Sequence, residues 1–124
     1  MTNILITGAN GLVGNELLKR FKDTGDNIIA TDINSAPSKN INRLDITERN
    51  NVEFYVRELA KRGEGTIIHL AALVAGPPSV KNPYGYLHTN VDGTLNILEA
   101  MRTYGVKKLI TMSSWSPFGA DIDL

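Results

Sequence analysis

Apolar positions along this chain alternate between short continuous runs and stripes of helical period. Asn3–Thr7 is apolar and β-branched and then meets Gly8, so it reads as a strand buried on both faces, the habit of a parallel sheet. From Gly11 to about Lys22 the period lengthens to that of a helix, with Val13, Leu17, Leu18 and Phe21 on one face and Gly25 as the stop. Asn27–Asp32 predicts a second strand, and the polar stretch 34–40, with Pro37, a loop. Ile41–Ile46 holds a weak third strand. Thr47 is placed to cap a helix running to about Arg62, with Val52, Val56, Leu59 and Ala60 inward and Gly63 and Gly65 beyond its end. Thr66–Ala71 predicts a fourth strand and 75–79 a loop. Asn82-Pro83 has the form of an N-cap with proline at the first helical position. The helix it opens continues to about Tyr104, with Leu87, Val91, Leu95, Leu98 and Met101 on one face, and Lys108–Ser113 is a fifth strand.

The resulting order, β-α-β-β-α-β-α-β, predicts an α/β fold with helices on both faces of a parallel sheet. Neither a repeat nor a linker divides the chain, so residues 1–124 are expected to form one domain. At 124 residues the chain is long enough to bury a core, and 42% hydrophobic content is ordinary for a globular protein. Thirteen basic residues balance thirteen acidic ones, so the electrostatic footprint of a nucleic-acid binder is missing. The absence of cysteine excludes disulfides, a thiol nucleophile and thiolate zinc sites, and fits a cytoplasmic protein. The amino terminus does not read as a signal peptide. The longest apolar run, Ile67–Ala75, is too short to span a bilayer and contains His69, so no membrane partner is expected.

The strongest chemical signal is Thr7-Gly8-Ala9-Asn10-Gly11-Leu12-Val13-Gly14, which sits after the first strand and opens the first helix. Its glycines recur every third residue. The first suits a tight turn, the second lets the backbone approach a pyrophosphate, and the third lets the helix pack close to the sheet. The helix start then aims unpaired N–H groups and a positive dipole end at the phosphates. Glycines also mark ordinary turns, but this placement is what a Rossmann-type doubly wound domain requires, with strand order 3-2-1-4-5.

Asp32 closes the second strand eighteen residues past Gly14, near the spacing at which a carboxylate accepts ribose hydroxyls. It would repel a 2′-phosphate, and Ile33-Asn34-Ser35 supplies no arginine, so NAD is favoured over NADP. The competing reading of Asp32 is a cap on the following loop.

With these residues the chain resembles the extended short-chain dehydrogenases/reductases, and more narrowly the NAD-dependent sugar-nucleotide epimerases and dehydratases. The resemblance runs through Thr7–Gly14, Asp32, Asp45-Ile46, His69-Leu70-Ala71-Ala72, Asn90–Asn96, Ser113-Ser114 and Gly119. It implies a cofactor site made of Gly8, Asn10, Gly11, Leu12, Val13, Gly14, Asp32, Asp45, Ile46, Leu70, Ala71, Ala72, Asn90 and Ser113. Asp45 would accept from the adenine amino group with Ile46 against the ring, though Asp45 could instead cap the next helix. Ala71 and Ala72 would let the cofactor lie against the backbone, or simply pack tightly. Asn90 would hold the active-site hydrogen-bond network, or be a solvated helix position. Ser114 would bind the reacting hydroxyl and Ser113 line the nicotinamide side, unless both serines merely end the strand. His69, between apolar neighbours, reads as a core histidine rather than a proton donor, and His88 as a surface residue. With only two histidines no metal cluster is expected.

The reaction of the resembling family uses a tyrosine and a lysine spaced Tyr-x-x-x-Lys beyond the fifth strand. Tyr104 and Lys108 have that spacing but straddle a helix end, Gly105 and a strand start, so one helical turn cannot set their geometry. Phe118 stands where many relatives carry tyrosine, and the bulky Trp115 follows Ser114. The expectation is the amino-terminal, cofactor-binding part of a longer enzyme, inactive alone, with a nucleotide-sugar substrate and homo-oligomers possible through an exposed fifth strand. The alternative is a non-catalytic NAD-binding sensor or interaction module.

Overall fold

A computed structural model of the chain describes residues 1–74 and 76–113. Five parallel strands form one sheet in the order β3-β2-β1-β4-β5: β1 Asn3–Thr7, β2 Asn27–Asp32, β3 Ile41–Arg43, β4 Gly65–His69 and β5 Lys108–Thr111. The predicted strand order is therefore the observed one. Register brings the strand ends level, with Thr7 beside His69 and His69 beside Thr111. Ligand chemistry can then gather along one carboxyl edge.

All five residues of β1 are buried because both faces of the sheet are covered. Alternation along the strand sends Leu5 to one layer and Ile4 and Ile6 to the other. On Leu5's side, α2 (Arg49–Lys61) and α5 (Gly93–Tyr104) supply Val52, Val56, Leu59, Ile97, Ala100 and Met101. On the other side, α1 (Leu12–Phe21) lays half-buried Leu17, Leu18 and Phe21 against Ile4, Ile6, Ala30 and Ile68. Two short helices, α3 (Gly76–Lys81) and α4 (Pro83–Leu87), follow β4, and a π-helical turn, His88–Asp92, joins α4 to α5. Asn82 caps α4 as expected, accepting the Gly85 N–H at 3.2 Å.

Four expectations are corrected. The third strand stops at Arg43, because the chain then turns and Leu44 N–H returns to the Asp32 carbonyl. Thr47 does not cap α2. Its N–H and hydroxyl both go to Asp45 Oδ1, a side-chain turn that competes with capping, and the N-cap position falls on Glu48. A helix, α3, stands where part of the 75–79 loop was expected. The single helix 82–104 is interrupted by the π-turn, and its inward face is the small-residue one. Gly93, Ile97, Ala100 and Met101 are buried, whereas Leu87, Val91, Leu95 and Leu98 are 57%, 55%, 53% and 45% exposed. Gly93 explains the choice: a Cβ there would come within 2.6 Å of Ile46 Cδ1, so this face packs closely on the connection after β3.

Candidate functional site: a cleft at the carboxyl edge

A cleft of about 520 Å³ opens at the carboxyl ends of β1 to β4. It is lined by Gly8 and Gly11 after β1, Asp32–Asn34 after β2, Leu44–Thr47 after β3 and Leu70–Leu73 after β4, with Gly85, His88 and Thr89 on the far side. The volume lies in the range of small-molecule and cofactor sites.

The three glycines of the turn differ in what they require. Gly8 has φ +70, and an added Cβ would lie 2.7 Å from the Ala71 nitrogen, so both conformation and packing exclude a side chain. Gly14 is buried against Ala9, where a Cβ would meet the backbone oxygen at 2.5 Å. This lets α1 seat on the sheet. Gly11 has an ordinary φ of -81, and its Cβ would meet only the Gly8 oxygen at 3.4 Å. No side chain caps α1 at Gly11, and its first turn holds no acidic residue, so the first N–H groups of the helix keep donor capacity for a ligand.

Asp32 faces this turn. Oδ2 accepts the Asn10 N–H at 3.0 Å and Oδ1 the Asn34 N–H at 2.8 Å. The loop-cap reading is thus realised, and the carboxylate also lines the cleft, where each oxygen retains acceptor capacity. Asn10 turns its side chain to the β2–β3 connection, giving Nδ2 to Asn34 O at 3.3 Å and taking Lys39 Nζ at 3.3 Å. Leu12 and Val13 expose their side chains along the outer side of α1.

Asp45 lines the cleft while Oδ1 is engaged by Thr47. Ile46 borders the same space, but its side chain is buried against Gly93 and its carbonyl accepts Asn96 Nδ2 at 2.9 Å. Leu70, Ala71 and Ala72 line the cleft as the sequence suggested. Asn90 instead grips the neighbouring backbone: Nδ2 donates to Leu73 O at 2.9 Å and Oδ1 accepts Leu73 N–H at 2.8 Å. Ser113 is exposed after β5, and Ser114, with Trp115, Phe118 and Gly119, lies outside the described residues.

His88 is exposed, as expected, and sits on the cleft rim, paired at 3.0 Å with Asp92. Leu44, Thr47, Leu73, Gly85 and Thr89 also line the space without having been singled out for the site. The cue for Thr89 was only the Asn82–Pro83 helix start, that for Gly85 was a glycine that weakens a helix and so implies a close approach, and the π-turn that brings His88 to the rim has no sequence signature. His69 is buried, and burial holds its imidazole below the ordinary value of 6.5. Tyr104 and Lys108 border a separate hollow with Gly63–Gly65 at the amino edge, where Lys108 pairs with Glu64 at 3.1 Å.

A parallel sheet with this crossover, a glycine turn feeding a helix and an acidic residue closing β2 define a Rossmann-type dinucleotide-binding domain. The chain belongs to the NAD dependent epimerase/dehydratase family, whose model matches residues 4–123. The UDP-glucose 4-epimerase of Erwinia amylovora is 32% identical over 130 residues, covering 96% of this chain and 39% of its own length. UDP-glucose 4-epimerase from Brucella ovis, solved in complex with NAD, superposes with a TM-score of 0.86 at 25% identity, over 100% of this chain and 39% of that one. L-threonine dehydrogenase from Phytophthora infestans superposes with a TM-score of 0.74 at 28% identity, over 89% of this chain and 35% of that one. The chain therefore spans about two-fifths of the length of such relatives. Among the described residues no helix is long and apolar enough to cross a membrane.

Proposed function

We propose that this chain is the NAD-binding part of an enzyme that oxidises a hydroxyl of a nucleotide sugar and then returns the hydride. The observation that carries the reading is Gly11. Neither its backbone angle nor its packing calls for glycine, yet it lines the cleft beside the uncapped start of α1. A bound group approaching the backbone there accounts for it, and an anion suits the helix end.

When bound, NAD supplies a two-electron acceptor that takes a hydride from carbon and later gives it back. On this reading Gly11, Leu12 and Val13 bind the pyrophosphate through backbone N–H groups. Asp32 accepts ribose hydroxyls, Asp45 and the backbone of Ile46 hold the adenine, and Leu70, Ala71 and Ala72 form the wall along the end of β4. Asn90 contributes by fixing Leu73. Ser113 and Ser114 are assigned to the nicotinamide and the reacting hydroxyl through the family resemblance alone. Residues 1–124 are then one cofactor-binding unit that does not turn over by itself. It self-associates through the outward stripe Leu87, Val91, Leu95 and Leu98.

Calorimetric titration of the 124-residue chain tests this. NAD is expected to bind, and NADP to bind more weakly because Asp32 repels a 2′-phosphate. Absence of both heat and a thermal shift with millimolar NAD would overturn the cofactor reading. NAD-dependent epimerisation by the purified chain would overturn the claim of inactivity.

A further inference from the structure

Thr7, His69 and Thr94 form a buried line of hydrogen bonds that the proposed cofactor contacts leave unused. His69 Nδ1 lies 2.7 Å from Thr7 Oγ1, and Nε2 lies 3.1 Å from Thr94 Oγ1. The neighbours decide where the protons sit. Thr94 Oγ1 donates to the Asn90 carbonyl at 2.7 Å, so its only proton is committed and its oxygen must accept from His69. Thr7 Oγ1 accepts the N–H groups of Leu70 and Ala71, both at 3.2 Å, which leaves its own proton for Nδ1. Both hydroxyls are satisfied by one assignment: a neutral imidazole with its proton on Nε2. An Nδ1–H would face an oxygen already crowded by two donors. Among the described residues, no buried side-chain nitrogen or oxygen lacks a partner.

None of these three side chains lines the cleft. What they hold is its wall. The Thr7 hydroxyl holds the Ala71 amide and shares the Leu70 amide with the Thr7 carbonyl, which takes it at 3.0 Å, against Gly8, whose missing Cβ would stand 2.7 Å from the Ala71 nitrogen. At the far end, the same Asn90 that receives the Thr94 hydroxyl clamps Leu73 by its side-chain amide. Both ends of the Leu70–Leu73 segment thus hang from one buried line through His69.

We propose that His69 is a positioning residue for the cleft: as the Nε2–H tautomer it ties the end of β1 to Thr94 in the first turn of α5, next to the π-helical turn, and so fixes the Leu70–Leu73 wall. The assignment of the cleft to NAD enters only the last readout below.

The test uses the 124-residue chain with 15N-labelled histidine, His88→Gln serving to assign the two rings. The imidazole spectrum of the ligand-free protein at neutral pH is expected to show His69 as the Nε2–H tautomer; an Nδ1–H tautomer or an imidazolium overturns the proposal. Thr94→Val removes the hydroxyl while keeping the shape, and Thr94→Ser restores it. Valine is expected to disturb the His69 tautomer and to speed hydrogen exchange at Leu70, Ala71 and Leu73 about tenfold, the equivalent of one lost buried hydrogen bond, with serine close to wild type. Unchanged exchange in Thr94→Val overturns the proposal, and so does Thr94→Ser behaving like valine. NAD affinity is expected to fall in step with exchange. If the wild type shows the expected tautomer and exchange but binds no NAD, the NAD reading fails and the positioning role stands.

Discussion

The Asp32 carboxylate accepts the backbone N–H of Asn10 at 3.0 Å, so the residue that closes β2 also holds the glycine turn that follows β1. Its other oxygen holds Asn34 at 2.8 Å. Asp32→Ala therefore removes a fold contact and a ligand contact together. Leaving two backbone donors without their charged acceptor is expected to cost about 1.5–3 kcal/mol of stability. Urea unfolding and NAD calorimetry on the same variant should both show a loss. Full stability with unchanged NAD affinity would place Asp32 outside the site.

The glycines separate those two effects. Gly8→Ala forces a side chain into a left-handed backbone and onto the Leu70–Ala71 peptide, and Gly14→Ala onto Ala9. Each is expected to lose roughly 2 kcal/mol or more of stability. Gly11→Ala has an ordinary backbone and an open Cβ position, so its stability should fall by no more than about 1 kcal/mol, the cost of alanine at an N-cap. Its NAD affinity should nevertheless drop by about tenfold or more, or ~1.4 kcal/mol. Denaturation midpoints beside binding isotherms check all three. Undiminished NAD binding by Gly11→Ala would remove the principal support for a cofactor at this turn.

These contrasts also show what sequence can carry. The Thr7–Gly14 spacing and the position of Asp32 fix the sheet edge and the glycine turn, because both are local consequences of strand, turn and helix start. The inward face of α5 is a different matter. Leu87, Val91, Leu95 and Leu98 outweigh Gly93, Ile97 and Ala100 in hydrophobicity, and periodicity identifies an apolar stripe without saying which of two is covered. The close approach of Gly93 to Ile46 decides it, and that contact joins residues far apart in the chain. The π-turn escapes for a similar reason: it inserts a register shift, with Gly93 N–H reaching His88 O, that no residue type announces. Asp45 and Thr47 offered two local capping choices of similar strength, and the turn between them won.

Burial lowers the His69 pKa, and this gives stability a defined pH dependence. The unfolded imidazole titrates near 6.5 and the folded one below it. Between the two values the unfolded state binds more protons, so stability rises with pH across that window. The contribution is complete above about 6.5. It is lost as pH falls towards the lowered folded value. Asp26, Glu58 and Glu99 have folded pKa values below their ordinary 3.8, 4.5 and 4.5, so their losses begin at lower pH than that of His69. Urea midpoints measured from about pH 7.5 to about 5.5 should fall in the wild type and fall less in His69→Gln. Equal slopes would mean that His69 is protonated without cost.

The proposed self-association has two candidate apolar surfaces. β5 is a sheet edge with Ile110 exposed and Met112 exposed just past its end, but it is four residues long and begins with Lys108, a charge that discourages strand addition. The end of α4, the π-turn and α5 instead expose Leu87, Val91, and Leu95 with Leu98 in turn, a longer series of apolar side chains. Contiguous aliphatic surface of this kind marks an interaction site more strongly than a short protected edge. Leu95→Lys with Leu98→Lys is therefore expected to shift the sedimentation profile to monomer, while Ile110→Lys leaves it nearly unchanged. Both leucines are about half exposed, so the double variant is expected to lower the unfolding midpoint far less than a substitution at buried Ile97. The reverse ranking of the two variants would assign association to the strand edge.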